Sequence, residues 1–122
     1  NDDQPAVIES NGKKIWYYRG LKHRNHDKPA ICHANGEQIW CLNGEMHRND
    51  DKPARIFPSG KQVWYLYGKI HRVDNPAIVY VDTEKLYEYY QYGSKHRIDG
   101  PAVKYRDGRE KWYNNGIKLL KC

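Results

Sequence analysis

Residues 29–52 read Pro-Ala-Ile-Cys-His-Ala-Asn-Gly-Glu-Gln-Ile-Trp-Cys-Leu-Asn-Gly-Glu-Met-His-Arg-Asn-Asp-Asp-Lys. A short β-prone stretch meets Asn35-Gly36, returns through Trp40, turns again at Asn43-Gly44 and enters His47-Arg48. Asn-Gly between two apolar runs is the strongest short-range hairpin signal, because a two-residue turn asks both positions for φ > 0. The same string recurs along the chain. Pro-Ala stands at Pro5-Ala6, Pro29-Ala30, Pro53-Ala54, Pro76-Ala77 and Pro101-Ala102. The ladder Trp16, Trp40, Trp64, Tyr89 and Trp112 is followed four residues later by Gly20, Gly44, Gly68, Gly93 and Gly116. His-Arg closes four of the units, at His23-Arg24, His47-Arg48, His71-Arg72 and His96-Arg97. A single repeat domain over 1–122 follows, with units 1–24, 25–48, 49–72, 73–97 and 98–122.

The first turn recurs at Asn11-Gly12, Ser59-Gly60 and Asp107-Gly108, whereas Asp82-Thr83-Glu84-Lys85 has no glycine and predicts a wider loop. No window shows helical apolar spacing. The expectation is an all-β chain, an elongated antiparallel sheet of five consecutive hairpins with about ten strands, roughly 45–50 Å long at the usual strand spacing.

Composition agrees. The chain has 122 residues, 39% hydrophobic and 30% charged. Leu, Ile, Val and Phe total only 22, but 11 Tyr and 4 Trp supply bulk that disordered chains lack. The longest apolar run is far too short for a membrane helix. Three cysteines, Cys32, Cys41 and Cys122, are too few and too odd for a disulfide scaffold, which points to a reducing, intracellular setting. The opening Asn1-Asp2-Asp3 matches Asn49-Asp50-Asp51, which follows a His-Arg, so the chain reads as the C-terminal part of a longer array. In the last unit Leu119-Leu120 replaces His-Arg, as in a capping repeat.

With a two-residue turn, Ile8 lies opposite Ile15 and Val7 opposite Trp16. One face then carries the Trp ladder, and the other carries Ile8, Ile15, Ile39, Ile56 and Val63. The second face is the candidate interaction surface for a protein partner or a homodimer. In the last unit it becomes Lys104, Arg106, Arg109 and Lys111, candidate contacts for an anion.

The unit Pro-Ala…Gly…Trp-Tyr-x-x-Gly-x-x-His-Arg resembles a MORN repeat over Asn1 to Lys118, through Trp16-Tyr17, Trp40, Trp64-Tyr65, Tyr89-Tyr90, Trp112-Tyr113 and their glycines. It is most similar to the variant found in long arrays of giant DNA viruses of amoebae. The His-Arg before Pro differs from the His-Gly of typical units. The resemblance implies consecutive hairpins without catalytic activity, a scaffold or interaction role, and a viral source, hence host cytoplasm or virion.

Catalytic readings are poor. Ser10, Ser59, Ser94 and Thr83 sit in or beside turns without a repeated His and Asp around them. No catalytic residue, metal ligand or cofactor is expected. Cys32 and Cys41 read as small residues of the Ala-bearing face, and two thiols are short of the three or four ligands that zinc takes. Equivalent histidines two strands apart are roughly 10 Å from each other, too far to share an ion. Each Arg is expected to pair with an Asp of its own or a neighbouring loop: Arg48 with Asp50 or Asp51, Arg72 with Asp74, Arg97 with Asp99. Net charge is +6, but by unit it runs +2, −1, +3, −1, +3. Nucleic acid or an anionic membrane surface wants a continuous positive stripe, so that reading is the alternative to a scaffold.

Overall fold

A computed structural model describes residues 3–120. Asn1, Asp2, Lys121 and Cys122 lie outside it. The chain is all-β, and among the described residues no helix is present. An eleven-stranded antiparallel sheet runs in chain order, accompanied by four two-stranded hairpins.

Each of the first four units therefore holds two hairpins rather than one. In the second unit Ile31–Cys32 pairs with Gln38–Ile39 in the large sheet, and Cys41–Leu42 pairs with Glu45–Met46 in a small one. Trp40 is the switch between them. Its N–H donates to the Ala54 carbonyl of the next unit (2.7 Å), and its carbonyl accepts from the His47 N–H of its own small hairpin (3.1 Å). Trp16, Trp64 and Tyr89 repeat both bonds. Only in the last unit does the strand Glu110–Asn114 run unbroken into the hairpin with Ile117–Leu119.

The turns are the reverse of the expectation. At the first turn Asn11 is not left-handed; only Gly12 is, at φ +92°. Gly12 N–H bonds the Glu9 carbonyl and Glu9 N–H bonds the Lys13 carbonyl, so the loop has three residues and ends in a glycine bulge. Asn11 Oδ1 accepts from Lys13 N–H, and Asn35, Ser59 and Asp107 do the same, which is why a short polar side chain precedes each glycine. The two-residue turn with both φ positive is instead the second one: Arg19-Gly20, Asn43-Gly44, Tyr67-Gly68, Tyr92-Gly93 and Asn115-Gly116. In the fourth unit Tyr80 N–H bonds the Leu86 carbonyl, which leaves a five-residue loop as the two extra residues require.

The longer first loop shifts the register by one. Val7, not Ile8, lies opposite Ile15, while Ile8 faces Lys14. A one-residue slip moves a strand's side chains to the opposite face. Directly opposed residues share a face, so Val7, Ile15, Ile31, Ile39, Arg55, Val63, Ile78, Glu88, Val103 and Lys111 form one row. The small hairpins cover this row: Ile15, Ala30, Ile31, Ile39 and Cys41 make a core against which Met46 packs. Ala30, Ala54, Ala77 and Ala102 are fully buried; the first three use both N–H and carbonyl in hydrogen bonds to neighbouring strands, and the Ala102 carbonyl accepts the Tyr89 N–H. A larger side chain has no room there.

Candidate functional site

The expected interaction face does not exist as a surface. Ile15, Ile39 and Val63 are buried, whereas Ile8 (64% exposed) and the half-buried Ile56 lie on the other side of the sheet. The cause is the register shift. The face left open carries Ile8, Lys14, Cys32, Gln38, Ile56, Gln62, Val79, Tyr87 and Lys104.

The four candidate anion contacts do not form one patch either. Val103 faces Lys111 and Lys104 faces Glu110, so Lys104 and Lys111 fall on opposite faces. Lys104 Nζ is 2.6 Å from Glu110, Arg109 Nε is 2.7 Å from Asp107, and Arg106 Nε donates to the Thr83 carbonyl at 3.0 Å. Arg109 and Lys111 also lie over the Tyr105 ring. These cations are already partnered within the last two units.

The Trp ladder is the most built part of the molecule. Trp16, Trp40 and Trp64 are buried, and each indole Nε1–H donates to a backbone carbonyl of the preceding loop, on Asp3, Asp27 and Asp51. The guanidinium of Arg24, Arg48 or Arg72 lies over each indole at 3.7–3.8 Å from the ring centroid. A cation over an aromatic face is stabilised by the ring quadrupole. The same Arg donates Nη1–H to the carbonyl of the proline that opens the next unit, Pro29, Pro53 or Pro76. Its Nε–Nη2 edge grips the carboxylate of Asp3, Asp27 or Asp51, twenty-one residues back. Arg48 and Arg72 thus pair one loop earlier than expected. A bidentate fork of this kind is the strong form of an ion pair. Lys28 and Lys52 add a second cation to Asp3 and Asp27. Arg48 and then Lys52 hold the Asp27 carboxyl down at about 2.

The histidines hold the next unit. His23, His47, His71 and His96 each accept at Nδ1 the backbone N–H of the first turn residue of the following small hairpin: Asn43, Tyr67, Tyr92 and Asn115. An accepting Nδ1 assigns the proton to Nε2. In His23 and His47 that Nε2 faces the Asn25 and Asn49 side-chain oxygens at 2.8 Å. Beside each of these bonds the following glycine N–H reaches back as well, Gly44 to Lys22, Gly68 to Met46, Gly93 to Ile70 and Gly116 to Lys95. The constancy of His-Arg in four units was the signal for this role.

The fourth unit interrupts the apolar row with Glu88, only 2% exposed. Tyr80 OH and Tyr90 OH both donate to it, and Lys85 and Lys95 stand at 3.5 and 3.7 Å. Burial, then the Glu88 charge, pushes the Tyr90 phenol up to about 12; Tyr80 moves the same way. One unit earlier a similar substitution places Arg55 against the buried Glu37 at 2.5 Å. Among the described residues no group of three or more His, Cys, Asp or Glu is arranged to hold a metal, and no helix is long and apolar enough to cross a membrane.

No family model matches the sequence, and no match was found among curated proteins or solved structures.

Proposed function

We propose that the chain is a non-catalytic, MORN-like repeat scaffold that presents its open sheet face to a protein partner or to a second copy, in a giant virus of amoebae as the resemblance implies. One observation carries the reading: the repeated polar residues are consumed in building and joining units. Trp Nε1 and the Arg–Asp fork tie the two ends of one unit together, while the Arg Nη1 bond to the next proline and the His Nδ1 bond cross the unit boundary. A motif that serves cohesion leaves recognition to what varies between units. The open face varies, with Ile8, Cys32, Ile56 and Val79 set among Lys14, Gln38 and Gln62.

The alternative, an anion binder, is opposed by the internal pairing of Lys104, Arg106 and Arg109. Sedimentation at micromolar concentration, compared between wild type and Ile8→Lys/Ile56→Lys, tests the first reading. Expected is association that the double variant abolishes. Saturable binding of single-stranded DNA or phosphoinositide vesicles, weakening steeply with salt, overturns it in favour of the second.

A further inference from the structure

Arg97 keeps half of the Arg site and lacks the other half. Like its three counterparts it lies over an aromatic ring, Tyr89 at 4.0 Å, and donates Nη1–H to a proline carbonyl, Pro101 at 3.1 Å. Its Nε–Nη2 edge differs. In Arg48 that edge holds both oxygens of Asp27, at 2.8 and 3.2 Å. In Arg97 the Nε reaches only Asp99, at 3.4 Å with that carboxylate 89% exposed, and among the described residues Nη2 donates no hydrogen bond. The side chain is 24% exposed, against 13–17% for the other three.

Loop length explains the gap. Four residues separate Arg24 from Pro29 and Arg48 from Pro53, but only three separate Arg72 from Pro76 and Arg97 from Pro101. The shorter loop 73–75 does not deliver Asp74 to the Arg97 fork. At the next loop Gly100 stands where Lys28 and Lys52 stood. An added Cβ at Gly100 would come within 2.6 Å of Arg97 Cζ, so the glycine lets the guanidinium seat flat between Gly100 and Tyr89 with its donor edge outward. A cleft of about 450 Å³ lies beside Arg97, lined by Arg72, Asp74, Tyr90, His96, Arg97 and Asp99 among others; clefts lie beside the earlier His-Arg loops too, but there the Arg fork already holds an Asp. The exposed Val73 and Ile98 flank its loops.

We propose that the Arg97 fork is a docking site for a carboxylate followed closely by a cation, as in an Asp–Lys stretch of a partner polypeptide. The first two units define the pieces of the ligand: Arg48 holds Asp27, and Lys52 from the following loop sets a cation beside the same carboxylate, as Arg24, Asp3 and Lys28 do, whereas Arg72 holds Asp51 without a lysine. At Arg97 both pieces are missing from the chain. The carboxylate takes the Nε–Nη2 edge in place of the long Asp99 contact. The ligand's ammonium is met by Asp74 and Asp99, which disfavour a bare carboxylate. The site does not depend on the scaffold reading, since it concerns one cleft rather than the open sheet face.

The test follows the Arg97 Nε–H resonance by NMR while the intact protein is titrated with acetyl-Asn-Asp-Asp-Lys-Pro-amide. Expected is a saturable shift at Arg97, none at Arg24, Arg48 or Arg72, and none with acetyl-Asn-Asn-Asn-Lys-Pro-amide. N-acetyl-lysine serves as a second arm; tighter binding of it assigns the site to a chain terminus rather than a side chain. Replacing residues 73–75 with Asn-Asp-Asp-Lys restores an internal carboxylate and should weaken the peptide at least tenfold, about the loss of one charged hydrogen bond. Arg97→Lys, followed at the backbone amide of His96 because the guanidinium Nε–H is gone, should do likewise. No saturable shift at Arg97, an equal shift with the Asn peptide, or unchanged affinity in the loop variant overturns the proposal.

Discussion

His47 accepts the backbone N–H of Tyr67 at 3.1 Å, and the two rings stack with centroids 4.1 Å apart. The contact crosses a unit boundary, and an imidazole can make it only with a lone pair on Nδ1. Joining one unit to the next is thereby tied to an uncharged ring.

His71 makes the same bond to Tyr92 at 3.0 Å, and burial lowers its pKa. The unfolded chain then binds the proton more readily than the folded one. Stability from this group is complete above the ordinary histidine value of about 6.5 and falls as the pH drops through it. The urea midpoint should be lower at pH 5.5 than at pH 7.5, and His71→Gln should shrink the difference. A midpoint that is flat over this range would refute it.

Arg48 and Asp27 couple more weakly than their geometry suggests, because the Asp27 side chain is 43% exposed. A double-mutant cycle with Arg48→Ala and Asp27→Ala should return about 0.5–1 kcal/mol. The Asp27 pKa is lowered, so this contribution is present above its ordinary 3.8 and vanishes as the pH falls through about 2. Coupling that persists below that point would show that packing, not charge, joins them.

Trp40 is 7% exposed beneath Arg48, whereas Trp112 is only half-buried. Trp40→Ala should cost about 3–5 kcal/mol, the usual loss at an emptied aromatic site. Trp112→Ala should cost less. Equal losses in chemical denaturation would contradict a gradation along the array.

Glu88→Ala strips the partner from two tyrosines and two lysines and should cost roughly 2–4 kcal/mol, discounted because both lysines stay partly in water. Glu88→Gln should cost less and lower the Tyr90 phenol from about 12, since the carboxylate charge is one cause of its elevation. Carbon-13 NMR of labelled tyrosine reads this directly, and an unmoved Tyr90 would assign the whole shift to burial.

The period, the absence of helix and the antiparallel hairpins were legible because the signals repeat. The register was not. Asn11-Gly12 fits a two-residue turn and a three-residue bulged loop equally well, and the difference decides whether Ile8 or Val7 shares a face with Ile15. The second hairpin was hidden because Arg19, Tyr67 and Tyr92 take left-handed conformations that their residue types rarely adopt. Arg97 pairs with Asp99 as expected, but the partners of Arg48 and Arg72 were misplaced by one loop, since sequence proximity favoured Asp50 or Asp51 for Arg48 while the strand advance puts Asp27 beside it.

Side-chain hydrogen bonds of long sequence reach join Lys28 to Asp3 and Lys52 to Asp27, each spanning 25 residues. Closing a loop of that size carries a fixed entropy, however many units the chain has. Each unit can therefore order against its neighbour without waiting for a distant segment, and an array of this kind keeps a low relative contact order as it lengthens. All-β chains are usually slow to fold because their pairings are non-local. This one is all-β with local pairings, so its folding time should follow the docking of one unit on the next rather than the length of the chain.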